Sequence, residues 1–251
     1  GRIVLAGDHY QLPPTVLSEE AAAAGLRESL MQQIIAREGP ESYRRLIVQY
    51  RMNESIMNFS SNTFYDGELV ADASVAQHLL VDLPSVAELP LTTASLAFID
   101  TAGAEFEEAL EADGESKLNE KEAHLIIRLV SELIDSGVEP RLVGIIAPYA
   151  AQVRLIRDRL GSVEVEVDTV DGFQGREKEA ILVSMVRSND RGEIGFLSDT
   201  RRSNVALTRA RRHLTVVGDS ATLGTNAFYR QLIDYFEEAG AYRSVWEFGD
   251  W

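Results

Sequence analysis

Arg201, Arg202, Arg209, Arg211 and Arg212 crowd into Asp199–Asp219, which reads DTRRSNVALTRARRHLTVVGD. Arginine stays charged at any working pH, and its planar fork matches phosphate oxygens. Guanidinium groups held at the edge of a sheet would therefore suit an anionic phosphate site. The other reading of the same stretch is a basic helix salt-bridged to an acidic protein. Two more positions have side chains suited to such a site. Gln11 lies in GDHYQLPP at 7–14, where two prolines fix the backbone and bar helix or central strand. That places it on a rigid turn, or else on a stiffened connector. Arg51 lies in QYRM at 49–52, as a phosphate contact or a surface arginine. Its neighbour Tyr50 is either core or a platform for a base.

The elements that must position these residues alternate between strand and helix. Arg2–Ala6 reads as a short strand ending at Gly7-Asp8, as if a longer chain opened in mid-strand. A helical period covers Leu26–Arg37 and stops at Gly39-Pro40. Arg45–Val48 is a short strand, and Asn53 caps a helix running to Phe64. Asp66–Thr93 is loop-rich, with scattered prolines. Ser95–Asp100 is a strand. The acidic run Ala104–Glu122 reads as a solvated, mobile loop plus the polar start of a helix over Glu122–Ile134.

RLVGIIA at Arg141–Ala147 is the near-continuous apolar run of a parallel strand buried on both faces. A helix at Ala151–Leu160, a strand at Glu164–Val167 and a buried strand at Glu179–Val186 follow. Ser203 is placed to cap a helix through Arg211, with His213–Val217 as the next strand. Ala227–Ala239 is the terminal helix. The pattern predicts an α/β fold with a mostly parallel sheet and helices on both faces. The candidate loops are expected at the C-terminal ends of strands, where open α/β sheets bind ligands. IVLAGDHYQL and LTVVGDSATL echo one another, as two copies of one fold or by coincidence.

Composition narrows the function. The 251 residues have a formal net charge of −16, which argues against tight free-standing binding to nucleic acid but leaves room for a local groove. There is no cysteine, so disulfides and thiolate metal sites are excluded. The four histidines lack ligand spacing, no run approaches a membrane span and no signal peptide leads the chain. A cytoplasmic protein without a membrane partner is expected. None of the three lysines follows a glycine, so the sequence has no G-x-x-x-x-G-K-[ST] phosphate loop.

Taken in order, GDHYQLPP, QYRM, VDTVDGFQGRE at 167–177 and NVALTRARR at 204–212 resemble motifs III, IV, V and VI of the superfamily 1B helicases. IIAPYAAQ at 145–152 resembles that branch's intermediate motif. The branch includes the nonsense-mediated-decay RNA helicase and the immunoglobulin-mu-binding helicase. The resemblance spans nearly the whole chain apart from 66–122. It implies a RecA-like fold: residues 1–42 as the last strand and exit helix of a first RecA-like domain, and 43–251 as the second. It implies ATP with Mg²⁺ bound between two such domains, and single-stranded DNA or RNA as the track.

By the same resemblance Gln11 senses the γ-phosphate, and Tyr50 contacts the adenine or its neighbourhood. Arg51 and Arg209 act as arginine fingers, and Glu177 holds the ribose. Pro148, Tyr149 and Thr169 touch the single strand. The family's phosphate loop and its Mg²⁺-binding acidic pair are expected to precede this segment, in the first RecA-like domain of the same protein. The segment alone is therefore expected to be inactive. A different class of function, a non-catalytic nucleotide-fold scaffold binding partners through 104–122, has no need of Gln11, Arg51, Glu177 and Arg209 together.

Overall fold

A computed structural model describes residues 3–112 and 114–249, apart from the side chain of Pro40. Six parallel strands form the central sheet: β1 (Leu96–Asp100), β2 (Val143–Ala147), β3 (Glu166–Thr169), β4 (Lys178–Ser184), β5 (Ala210–Gly218) and β6 (Tyr242–Ser244). Their spatial order is β6-β1-β5-β4-β2-β3. The helices of eight or more residues are α1 (Leu30–Glu38), α2 (Glu54–Phe64), α3 (Glu120–Asp135), α4 (Ala150–Leu160), α5 (Thr200–Leu207) and α6 (Ala227–Glu238). A two-residue parallel pair, Val48–Gln49 with Val70–Ala71, and an antiparallel one, Ala109–Leu110 with Lys117–Leu118, lie outside the sheet.

Period-two alternation divides the strands between two cores. Phe98, Ile146, Val183 and Val216 face one side, where Ile56 and Met57 of α2, Val205 and Leu207 of α5 and Phe236 of α6 meet them. Ile99, Ile145, Leu182 and Val217 face the other, against Leu125, Ile126 and Leu129 of α3 and Ile156 of α4. Helices thus cover both faces, and strands buried on both sides read as unbroken apolar runs for that reason. This is the α/β, RecA-like architecture expected above.

Several boundaries differ from the sequence expectations, each for a local reason. Residues 3–8 lie in no ladder, and Ile3 and Val4 are 80% and 93% exposed; an apolar run becomes a strand only where another strand meets it. Arg2 lies outside the described residues. The helix expected over Leu26–Arg37 begins at Leu30, because Ser29 and Gln32 form a capping box there, while Leu26 ends a separate short helical turn over Ala22–Leu26. The helix expected from Glu122 begins at Glu120, because Asn119, inside the acidic run, caps α3 by accepting from Glu122 N.

Asp199, rather than Ser203, caps α5, accepting from Arg201 N; Ser203 sits inside the helix and shares a 2.6 Å hydrogen bond with Tyr229. The helix ends at Leu207 and β5 begins at Ala210, so Arg211 and Arg212 belong to a strand. The Gly-Asp echo is real at the level of the turn. Asp8 accepts from Tyr10 N at 3.0 Å and Asp219 from Ala221 N at 2.8 Å, but only the second turn follows a strand of the sheet.

The acidic segment is not simply solvated. Phe106 is buried, Glu108 pairs with Arg187 and Lys117, and Glu122 is fully buried; Asp113 is outside the described residues. Glu122 Oε2 accepts from Ser184 Oγ at 2.6 Å and from Val186 N at 2.9 Å, while Oε1 has no partner. Burial pushes its pKa up to about 8, with the Asp219 and Glu108 charges adding to the rise. Its folded pKa therefore lies above the unfolded value near 4.5, so the folded chain holds the extra proton between those limits. This contribution to stability is complete below the unfolded pKa and is lost as pH rises through about 8. Glu122→Gln should remove the dependence. Thermal unfolding at pH 5.5 and 8.5 should show the wild type losing roughly 1 kcal/mol per pH unit relative to the variant. Parallel curves would refute the neutral carboxyl.

Candidate nucleotide site

Gln11, Arg51, Glu177 and Arg209 meet around Thr208, in the turn between α5 and β5. Arg209 donates from Nε to Val205 O at 3.0 Å and from Nη2 to Thr208 Oγ1 at 3.1 Å and Gln11 Oε1 at 3.5 Å; Nη1 reaches Arg176 O at 3.4 Å. Arg51 donates from Nη1 to Thr208 O at 3.2 Å and from Nε to the Glu177 carboxylate. Gln49, which sequence reasoning passed over, shapes that turn: its Oε1 accepts from both Arg51 N and Met52 N, at 2.8 and 2.7 Å. Asn53 caps α2 as expected, accepting from Ser55 N at 2.9 Å, and its own N–H donates to Arg211 O of β5 at 2.7 Å. The QYRM turn is thereby pinned to the strand that follows Arg209.

The cluster sits at the other edge of the sheet from the one expected. Glu177 immediately precedes β4 and Arg209 immediately precedes β5, and Lys178 and Ala210 are paired in the ladder. These are N-terminal strand ends. The apolar runs made the strands visible, but the loop before a strand and the loop after the preceding one are the same residues, and only the register assigns the edge.

Charge is unevenly settled here. Arg201 pairs with Asp199, Arg202 with Asp171, Arg211 with Glu177 and Glu179, and Arg212 with Glu179 and Asp82. The salt-bridge reading therefore describes four of the five arginines. Arg209 differs: it is 3% exposed, and among the described residues it has no carboxylate partner within salt-bridge distance. Burial and then the neighbouring Arg51 charge pull its pKa down to about 10. Two guanidiniums side by side, one without an ion-pair partner among the described residues, suit an anion. The Arg51 and Glu177 side chains are 33% and 38% exposed, so the cluster faces solvent.

Tyr50 is exposed next to Arg51. Pro148 and Thr169 lie at the C-terminal ends of β2 and β3, at the opposite edge from the arginines. Tyr149 is buried at 4%, its ring against Phe196 at 5.5 Å and its hydroxyl accepting from Arg187 Nη1 at 3.3 Å. Its ring offers no free face for a base. Among the described residues no group of three or more acidic or histidine side chains is placed to hold a metal ion, and no helix is long and apolar enough to cross a membrane.

The fold is a parallel α/β sheet covered by helices on both faces, with paired arginines at the N-terminal strand ends, and comparison with known proteins places the chain more narrowly. The AAA domain family matches residues 26–221. DNA-binding protein SMUBP-2 of Mesocricetus auratus is 48% identical over 251 residues, 99% of this chain and 25% of that protein. DNA polymerase alpha-associated DNA helicase A of Schizosaccharomyces pombe is 42% identical over 94% of this chain and 36% of its own length. ATP-dependent helicase NAM7 of Saccharomyces cerevisiae is 38% identical over 95% of this chain and 25% of its own. The chain belongs to the AAA domain family, and these relatives bear out its resemblance to the superfamily 1B helicases. It spans about a quarter to a third of the length of these relatives.

Proposed function

We propose that this chain is the second motor half of an ATP-dependent helicase or translocase acting on single-stranded DNA or RNA, and that Arg51 and Arg209 are its arginine fingers. The observation that carries the reading is the meeting of Gln11, Arg51, Glu177 and Arg209 on one solvent-facing edge, with a buried guanidinium left without a counter-charge. Residues 43–251 form this half, and residues 1–42 close the first RecA-like domain, whose phosphate loop and acidic pair bind ATP and its Mg²⁺. The exposed Ile3, Val4, Leu17 and Leu30, on a segment whose helix α1 buries no residue, suit an element that packs against another lobe.

In this reading Arg51 and Arg209 neutralise charge on the transferring phosphoryl oxygens once the lobes close, so hydrolysis waits on closure. Gln11 senses the γ-phosphate, Tyr50 lies against the base and Glu177 holds the ribose. Arg51 is paired with Glu177, so its role as a finger requires the guanidinium to leave that carboxylate. Pro148 and Thr169 border the nucleic-acid path at the far edge of the sheet, and Tyr149 shapes that path from below rather than stacking on a base. Cytoplasmic work fits a motor driven by ATP. Hydrolysis by the parent protein, with and without a single-stranded oligonucleotide, tests the reading. Arg51→Ala should lower stimulated turnover at least about a hundredfold. Unchanged turnover would defeat it.

A further inference from the structure

Gln11 is held at both ends of its amide. Its Nε2 donates to Asp8 Oδ2 at 2.9 Å, and its Oε1 accepts from Arg209 Nη2 at 3.5 Å. Asp8 Oδ2 also accepts the Tyr65 hydroxyl at 2.6 Å. Asn204 Nδ2 donates to that same Tyr65 oxygen at 3.0 Å and to Tyr10 O at 3.0 Å. Asn204 lies in α5 and Arg209 in the turn that ends it, so the contacts, closed by the backbone between those two residues, form a ring: Asn204, Tyr65, Asp8, Gln11, Arg209. The ring joins three segments far apart in sequence: the Gly7–Pro14 loop, the C-terminal end of α2, and α5 with its turn.

The chemistry of each member gives the ring a direction. A carboxylate only accepts and a guanidinium only donates, whereas an amide does both and its two ends are nearly equal in size. With Asp8 on one side and Arg209 on the other, Gln11 has one orientation that satisfies both neighbours. Asp8 is fixed in turn by Tyr10 N on Oδ1 and Tyr65 on Oδ2. Burial and the Asp8 carboxylate raise the Tyr65 pKa far above its ordinary value, so the phenol stays a donor. Asn204 is fully buried and its Oδ1 has no partner, so its side chain acts here through its NH₂ alone.

We propose that Tyr65 and Asn204 are positioning residues for Gln11, setting directly and through Asp8 the orientation in which the Gln11 amide meets the nucleotide and Arg209. The proposal rests on the reading of Gln11 as the phosphate sensor. Tyr65 touches no nucleotide in this scheme; it acts through Gln11.

The test uses the parent protein with both motor halves, following ATP hydrolysis with and without an oligo(dT) single strand. Tyr65→Phe removes one oxygen and should lower stimulated kcat about tenfold, the worth of one well-placed hydrogen bond, with KM for ATP within about twofold. In a Gln11→Ala background the same change should cost no more than about twofold, because the group it positions is gone. A tyrosine that only packed would cost the same in both backgrounds, and that result overturns the proposal, as does unaltered kcat in Tyr65→Phe. If thermal unfolding shows that Tyr65→Phe does not fold, Asp8→Asn decides. Its NH₂ would face the Gln11 NH₂, so the same loss and the same non-additivity are expected, and additivity overturns the proposal. Should Gln11→Ala itself leave stimulated hydrolysis intact, the sensor reading falls and takes this one with it. A loss in Gln11→Ala without one in Tyr65→Phe removes the positioning role alone.

Discussion

Arg209→Ala in the parent protein should lower nucleic-acid-stimulated ATP turnover about a thousandfold or more, at the scale of an arginine finger. The expectation rests on where this side chain is held. Its guanidinium donates to two carbonyls, a hydroxyl and an amide oxygen, and has no carboxylate partner among the described residues. Burying a cation on such terms is costly, and setting it beside Arg51 costs more. Burial first and then the Arg51 charge draw its pKa down to about 10, which expresses the same cost. In the proposed reading a polyphosphate supplies the counter-charge, and the fixed carbonyl contacts mean little reorganisation is needed when it does. KM should change less than kcat, because the interaction strengthens as charge spreads over the transferring group. Arg209→Lys should not rescue, since a single ammonium cannot hold Val205 O, Thr208 Oγ1 and a phosphate at once. Steady-state kinetics measure both variants, and turnover within tenfold of wild type for Arg209→Ala would end the finger assignment.

What the sequence made legible follows from which forces act locally. RLVGIIA announces a strand buried on both faces because every side chain points into a core, and the structure places it as β2 in the sheet interior. The Arg-rich stretch was harder. Ser203 is a good cap by type, but Asp199 four residues earlier takes that place, and the first two residues of β5 read as helix because Arg211 and Arg212 interrupt its apolar run. The candidate site came from motif resemblance, since nothing in spacing says that Gln11 and Arg209 touch. Tyr65 and Asn204 gave no signal, because an aromatic at a helix end and an asparagine in a helix look like packing and surface. Glu108 and Glu122 were misjudged because an acidic run favours solvent on average; these two are drawn inside by Arg187, Ser184 and the Val186 amide.

Arg187→Ala should cost this chain about 3–5 kcal/mol, the penalty for removing one partner of a buried pair. Arg187 and Glu108 have side-chain exposures of 2% and 9%, with Nε to Oε2 at 2.6 Å and Nη2 to Oε1 at 3.2 Å. Glu108 also takes Ser188 N at 3.0 Å; burial alone would raise its carboxyl, but the Arg187, Lys117 and Asn189 side chains hold it below the usual range. Without Arg187 that charge stays buried with Lys117 as its remaining cation. The surroundings are built around the guanidinium: a Cβ added at Gly195, where φ is +55°, would come within 2.2 Å of Arg187 Nη1. One residue earlier Val186 is held at φ +70°, a costly conformation for a β-branched residue, by Glu122 on its N–H and Asn119 on its carbonyl. The strand β4 thus leaves the sheet through a strained residue into an ion pair, beside the Tyr149 that backs the proposed nucleic-acid path. Arg187→Ala should lower the melting temperature by roughly 10 °C. The double variant Arg187→Met with Glu108→Leu should recover most of the loss, because an apolar pair of similar volume leaves no charge stranded. A double variant as unstable as the single one would show that the cost lies in packing around Gly195 rather than in the unpaired carboxylate.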